Sequence, residues 1–173
     1  MPWQVQTPIM MDCDTADLCK RPYPGHKRGC PNYGKRDSCP PKVWRWDESF
    51  RHNSKCTVIW ITFPFGKHVT KMQFKHPDWS KRQLECCLYW QGTARKALRS
   101  EVGRFLSQSS NTWTVFYVPE AHGVDVTSTM AELGHIIEWP PIHRTFHVAI
   151  AIEDPNGISL SSKAPNLFEL SKG

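Results

Sequence analysis

Three stretches carry the densest runs of β-branched and aromatic residues. KCTVIWITFPF has apolar side chains on both faces from Cys56 to Phe63, which predicts a strand covered on both sides and ended by the Pro64-Phe65-Gly66 break. TWTVFYVP predicts a second strand over 112–119, and RTFHVAIAIED a third, with Phe146, Val148, Ile150 and Ile152 on one face and His147, Ala149 and Ala151 on the other. Between the first two, the spacing predicts one long helix that starts at Asp78 or Ser80 and runs to about Ser107. Leu84, Cys87, Trp90, Ala94, Leu98, Val102 and Phe105 form its buried stripe. Lys81, Arg82, Arg95, Lys96, Arg99 and Arg104 lie mostly off it. Gly92 costs roughly 1 kcal/mol relative to Ala inside a helix, so close passage of another backbone, such as that of the N-terminal arm, is the expected compensation. EAHGVDVTSTMAELG predicts a turn or short helix at Glu120 to Gly123 and a second helical piece ending at Gly134. This order reads as α+β: a small, mostly antiparallel sheet with one long helix and shorter helices on one face.

The 173 residues, 39% hydrophobic, suffice for one ordinary core and would cramp a second. The chain divides into an arm (1–52), an α+β core (53–154) and a loosely packed tail (155–173) within one structural domain. No stretch approaches the roughly 20 apolar residues that span a bilayer, and the first residues lack a signal-peptide pattern. The expectation is a soluble, cytoplasmic protein with no membrane partner. Seven cysteines is an odd number, and a reducing compartment keeps thiols free for a metal or for the core.

The arm holds the candidate chemistry. CKRPYPGHKRGCPNYGKRDSCPP, from Cys19 to Pro41, is too rich in Pro, Gly, Asn and basic residues to bury an apolar face. Metal–thiolate bonds from Cys19, Cys30 and Cys39 would order it. Cys30-Pro31 and Cys39-Pro40 are Cys-Pro junctions of the kind that ferredoxins carry at a cluster ligand. The spacing is too wide for paired Cys-x2-Cys zinc turns, so an iron–sulfur cluster, [4Fe–4S] in particular, is favoured and zinc is the alternative. Cys13 or His26 is the candidate fourth ligand, although two carboxylates flank Cys13 and a loop histidine is more often a surface residue. Cys56 reads as a buried small hydrophobe, Cys87 as core filling and Cys86 as incidental.

The formal charge is +6. Ten Lys and Arg against three Asp and Glu lie between Cys19 and Cys56. Such neighbours would lower cysteine pKa values beside an anionic cluster. Interleaved with Tyr23, Tyr33, Trp44 and Trp46, they would equally suit weak nucleic-acid binding, with Lys27, Arg28, Lys35 and Arg36 the leading contacts, or a partner protein. A merely solvated basic loop accounts for them as well.

The runs Gly29-Cys30-Pro31-Asn32-Tyr33-Gly34 and Ser38-Cys39-Pro40-Pro41 resemble the opening motif of a prokaryotic family of uncharacterised proteins described as predicted metal-binding. Glu120-Ala121-His122-Gly123-Val124-Asp125-Val126 is similar to that family's Glu-Ala-x-Gly-Ile-Asp-Val element. Family members carry a second cysteine cluster before that element, where this chain reads SQSSNTWTVFYV. The resemblance therefore implies a single metal site and names no reaction.

Phosphate-loop, nucleophile-elbow and His-Glu-x-x-His patterns are absent from the sequence. Glu120, His122 and Asp125 are the catalytic candidates, with helix capping as the plain alternative. Three function classes follow: a three-cysteine [4Fe–4S] cluster with one open iron for a substrate or sulfur species; a closed structural zinc or iron–sulfur clasp beside a basic binding face; and an electron carrier for a partner enzyme. Whether the protein is an enzyme turns on the fourth ligand.

Overall fold

The computed structural model of the chain describes residues 3–6, 9–12, 14–23, 26–43 and 56–153. Four strands, β1 (Trp3–Gln6), β2 (Cys56–Phe63), β3 (Trp113–Phe116) and β4 (Thr145–Glu153), form one antiparallel sheet in the order β1-β2-β4-β3. The central pair is in register from Cys56 opposite Ile152 to Phe63 opposite Thr145. The class is α+β, as the alternation of strand and helix patterns predicts.

Both faces of the central pair are apolar, so both need cover. On one face Ile59, Ala149 and Ala151 pack against Leu98, Val102 and Phe105 of the helix α3 (Gln91–Gln108). On the other, Val58, Trp60, Val148, Ile150 and Ile152 meet Val126 and Met130 of α4 (Val126–Glu132), together with Ile9, Phe116 and Val124. The helices are thus shared between the two faces rather than collected on one.

The long helix expected from Asp78 or Ser80 is interrupted. Ser80 does cap a helix, with Gln83 completing a capping box, but that helix, α2 (Lys81–Leu84), stops after one turn. A 3-10 turn at Cys87–Tyr89 precedes α3. The cause is Trp90, which is buried between Phe63 and Phe65. Its Nε1–H takes the Glu85 carbonyl at 3.3 Å, the acceptor that a continuous helix would give to the Tyr89 amide. Leu84, Trp90, Ala94, Leu98, Val102 and Phe105 are buried as the stripe requires. Cys87 is not core filling: the break turns it out to solvent. A Cβ at Gly92 would meet no atom within 4 Å, so no backbone passes close there. An additional helix, α1 (Phe65–Lys75), begins where the sequence signals a break, and the second strand is confined to 113–116 because Pro119 already opens a 3-10 turn.

Candidate metal centre

The chain enters the cysteine segment through a 3-10 helix, Thr15–Lys20. Asp12 organises its start: one carboxylate oxygen accepts from the Asp14 amide at 2.9 Å and the other from the Thr15 hydroxyl at 3.4 Å. Cys19 lies in the last turn. The next residues double back, with Tyr23 and His26 exchanging backbone hydrogen bonds of 3.1 and 2.8 Å and setting their rings 4.6 Å apart at a tilt of 33°. Gly29 then lies directly on the Cys19-Lys20 backbone at φ +76°, where an added Cβ would be 2.6 Å from the Cys19 carbonyl oxygen. The Cys30 amide donates to that same carbonyl at 2.8 Å. Two cysteines separated by ten residues are thereby stitched together by their main chains.

Both Cys-Pro junctions open turns. The Tyr33 amide closes on the Cys30 carbonyl at 3.1 Å, and the Lys42 and Val43 amides reach the Cys39 carbonyl at 3.1 and 3.2 Å. Proline at the second position presets the backbone of such turns. The Pro40-Pro41 peptide is cis. The Gly34 amide donates to the Pro40 carbonyl at 2.8 Å and ties the second turn to the first. Cys19, Cys30 and Cys39 are each half-buried and carry no disulfide.

Desolvation raises the Cys19 thiol pKa, and the charges of Cys30, Cys39 and Glu120 raise it further. No cation lowers it, against the expectation from the basic neighbours. Two further thiols and a carboxylate that act on Cys19 electrostatically form a donor set suited to a cation. Among the described residues no group of three or more His, Cys, Asp or Glu side chains stands in a metal-holding arrangement as the chain lies. The fit to a metal therefore rests on donor chemistry and on the Gly29 cradle.

The Glu120 to Val126 element lies against this segment. Met11 and Val124 form an antiparallel bridge, the Asp12 amide donates to the Gly123 carbonyl at 3.2 Å, and the Asp125 amide donates to the Met10 carbonyl at 3.0 Å. The 3-10 turn Pro119–His122 packs on Thr15–Lys20. The three catalytic candidates fare differently. Glu120 is exposed and acts electrostatically on Cys19. Desolvation by surrounding chain raises its carboxyl pKa, against a backbone hydrogen bond that lowers it. His122 is buried, edge-on to Phe116 at 5.0 Å. Asp125 caps α4, accepting from the Ser128 amide at 3.0 Å and from its hydroxyl. Against an opposing desolvation, those bonds and one from the Thr127 amide hold its pKa below the usual value.

His26 is exposed at the tip of the doubled-back loop. Cys13 lies outside the described residues, as do Trp44 and Trp46. Cys56 is buried at the start of β2, where desolvation pushes its thiol up to about 11. Tyr23, which the sequence marks as one of the aromatics among the basic residues, is a neighbour of the cysteines. Desolvation raises its phenol, followed by the charges of Cys30, Cys87 and Cys19, so the exposed Cys87 faces the same region. Only the position of Trp90, which breaks the helix, turns Cys87 that way. Lys27, Arg28, Lys35 and Arg36 are exposed and have no acidic partner among the described residues. Lys20 and Lys42 instead pair with Asp17 at 2.7 Å and Asp37 at 3.3 Å. Comparison with family models, with curated proteins and with solved structures returns no match for this chain.

Proposed function

We propose that Cys19, Cys30 and Cys39 hold a metal centre, a [4Fe–4S] cluster in preference to zinc, with Glu120 at its margin. The observation that carries this reading is the winding of Gly29-Cys30 onto the Cys19 backbone beside the Glu120 element. An irregular segment with two Cys-Pro turns gains order from thiolate bonds that its own side chains do not supply. The likeness of both stretches to a predicted metal-binding family supports the same reading. Held by Cys19, Cys30 and Cys39, such a cluster would keep one iron without a protein thiolate and would supply a Lewis-acidic position for a substrate or sulfur species. Around it this chain contributes three thiolates, a carboxylate at Glu120 that exchanges a proton with solvent, and a main-chain strap at Met10 to Asp12 that fixes the distance between the two stretches.

The second reading is a closed structural clasp whose exposed Lys27, Arg28, Lys35 and Arg36 bind nucleic acid or a partner protein. Their lack of acidic partners among the described residues favours it. Anaerobic purification with an absorption spectrum and iron, zinc and sulfide analysis separates the two. A brown protein with iron and acid-labile sulfide, most of it lost in Cys30→Ser and retained in Cys86→Ser, is the expected result. Stoichiometric zinc in a colourless protein, with salt-sensitive nucleic-acid binding of about 10⁻⁴ to 10⁻⁶ M, transfers the assignment to the clasp. Full metal content in Cys30→Ser removes both.

A further inference from the structure

The segment from Gly134 to Arg144, between α4 and β4, presents a second surface unrelated to the cysteines. Its inner side is anchored: His135 packs on Trp60 at 4.9 Å and on Phe146 at 5.6 Å, and Ile137 joins the core of that sheet face. Its outer side displays Ile136, Trp139 and Ile142, which are 77%, 73% and 65% exposed. Isolated exposed apolar residues are ordinary, but three on one short loop form a patch. The loop is also held in place. The Glu138 carboxylate accepts from the Ile142 and His143 amides at 3.1 and 2.8 Å, and the Gly66 amide at the start of α1 donates to the His143 carbonyl at 2.9 Å. A surface ordered before binding loses little entropy on binding.

Two further observations narrow the occupant. The amides of Ile136, Ile137, Glu138 and Trp139 make no hydrogen bond among the described residues. Gly66 ties the start of α1 to His143 of the loop, and from there exposed Lys67 and Lys71 lie four residues apart on one side of that helix, while Arg144 is exposed at the loop's end. The only carboxylate of the loop, Glu138, is engaged by the loop's own amides.

We propose that this loop and the neighbouring lysines of α1 form the docking surface for an extended, acidic and apolar segment of a partner protein. Such a segment supplies carbonyls to the open amides, apolar side chains to Ile136, Trp139 and Ile142, and carboxylates to Lys67, Lys71 and Arg144. A lipid surface would leave the open amides unsatisfied in hydrocarbon. Single-stranded nucleic acid would stack on Trp139 alone and gains no stacking from the two isoleucines that make up the rest of the patch. A second copy of this chain would bring together two basic surfaces of a protein whose formal charge is already +6.

The test is selection from a displayed library of random peptides of about 12 residues, long enough to add one strand, on the full-length protein, with Ile136→Asp/Ile142→Asp as the counter-target. Far-UV circular dichroism first establishes that this variant and Lys67→Glu/Lys71→Glu are folded. Trp139→Ala replaces the first variant if it is not. The expected result is enrichment of peptides that alternate apolar residues with Asp or Glu. Their affinity should fall roughly tenfold or more in either variant, a loss of about 1.4 kcal/mol, and binding should slow amide exchange at 136–139. Enrichment equal on the counter-target, enriched peptides without acidic residues, or unprotected amides at 136–139 overturns the proposal. So does binding of phosphatidylserine vesicles or oligo-dT that the same substitutions abolish while no peptide is enriched.

Discussion

Gly29 shows how much of the arm depends on one missing methyl group. At φ +76°, with the Cys19 carbonyl 2.6 Å from where a Cβ would sit, Gly29→Ala has both a left-handed backbone and a main-chain collision to relieve. The backbone term alone is about 1–2 kcal/mol. If the arm holds the proposed metal, this variant loses most of it, while the sheet stays intact by circular dichroism. Gly103→Ala, with no atom within 4 Å of the new methyl, should instead raise the melting temperature, reflecting a gain of about 0.5–1 kcal/mol in a helix interior. The turns at Cys30 and Cys39 were legible because a proline follows each of those cysteines in an irregular segment. Gly29 was not, because its constraint arises only when the chain returns to Cys19. Cys56 gives a contrasting case, legible from its place at the head of an apolar strand. Burial raises its pKa from 9.0 to about 11, so the folded state favours the thiol. That contribution is fully present below the unfolded value and disappears as pH rises through the folded one. It amounts to about 3 kcal/mol at most. Urea titrations between pH 8 and 11 should show stability falling with pH, and falling less in Cys56→Val.

At the scale of elements, periodicity located what was buried better than it located where helices stop. The stripe from Leu84 to Phe105 was legible, since each of its members except Cys87 is in the core. The break at 85–90 was not, because it follows from the Trp90 indole competing for the Glu85 carbonyl, a tertiary demand that leaves no trace in spacing. Helix α1 was hidden for the opposite reason, its Pro64 and Gly66 reading as punctuation although Pro64 occupies the N-cap. The Gly134 to Arg144 loop is the element whose order depends most on a single side chain. Hydrogen bonds from the His143 amide foremost, and from Ile142 and Arg144, outweigh desolvation and hold the Glu138 carboxyl down to about 2. The sign follows: the loop's order is present above the ordinary carboxylate range and is lost as pH falls toward 2. In Glu138→Gln, which keeps one acceptor but no charge, hydrogen exchange should speed up at the amides of residues 142 to 144 and stay unchanged in β2.

At the scale of the molecule, the α+β class was legible from the order of strand and helix patterns. Cover on both sheet faces was implied by the two apolar sides of β2, yet the division of helices between them required the actual packing of α3 and α4. The proximity of the two motif-bearing stretches was legible only as an expectation. Its physical basis is the strap of Met10 to Asp12 along Gly123 to Asp125, formed by backbone groups that any sequence possesses. Among the described residues no helix is long and apolar enough to cross a membrane.

The pairing of β1 with β2, which sets Gln6 opposite Cys56, has a topological corollary. The described residues between those two lie outside the sheet, so the cysteine arm is an insertion in what would otherwise be a hairpin. The entropy of closing such an insertion rises by only about 0.6 kcal/mol for each doubling of its length, so the strand pairing tolerates a long arm, to which the sheet is otherwise tied through Ile9. Replacing residues 7–55 by a two-residue Asn-Gly turn should yield a shorter protein that lacks the proposed metal site and the Ile9 contact but keeps its strand content by circular dichroism. A scaffold of this kind can exchange one arm for another without relearning how to fold.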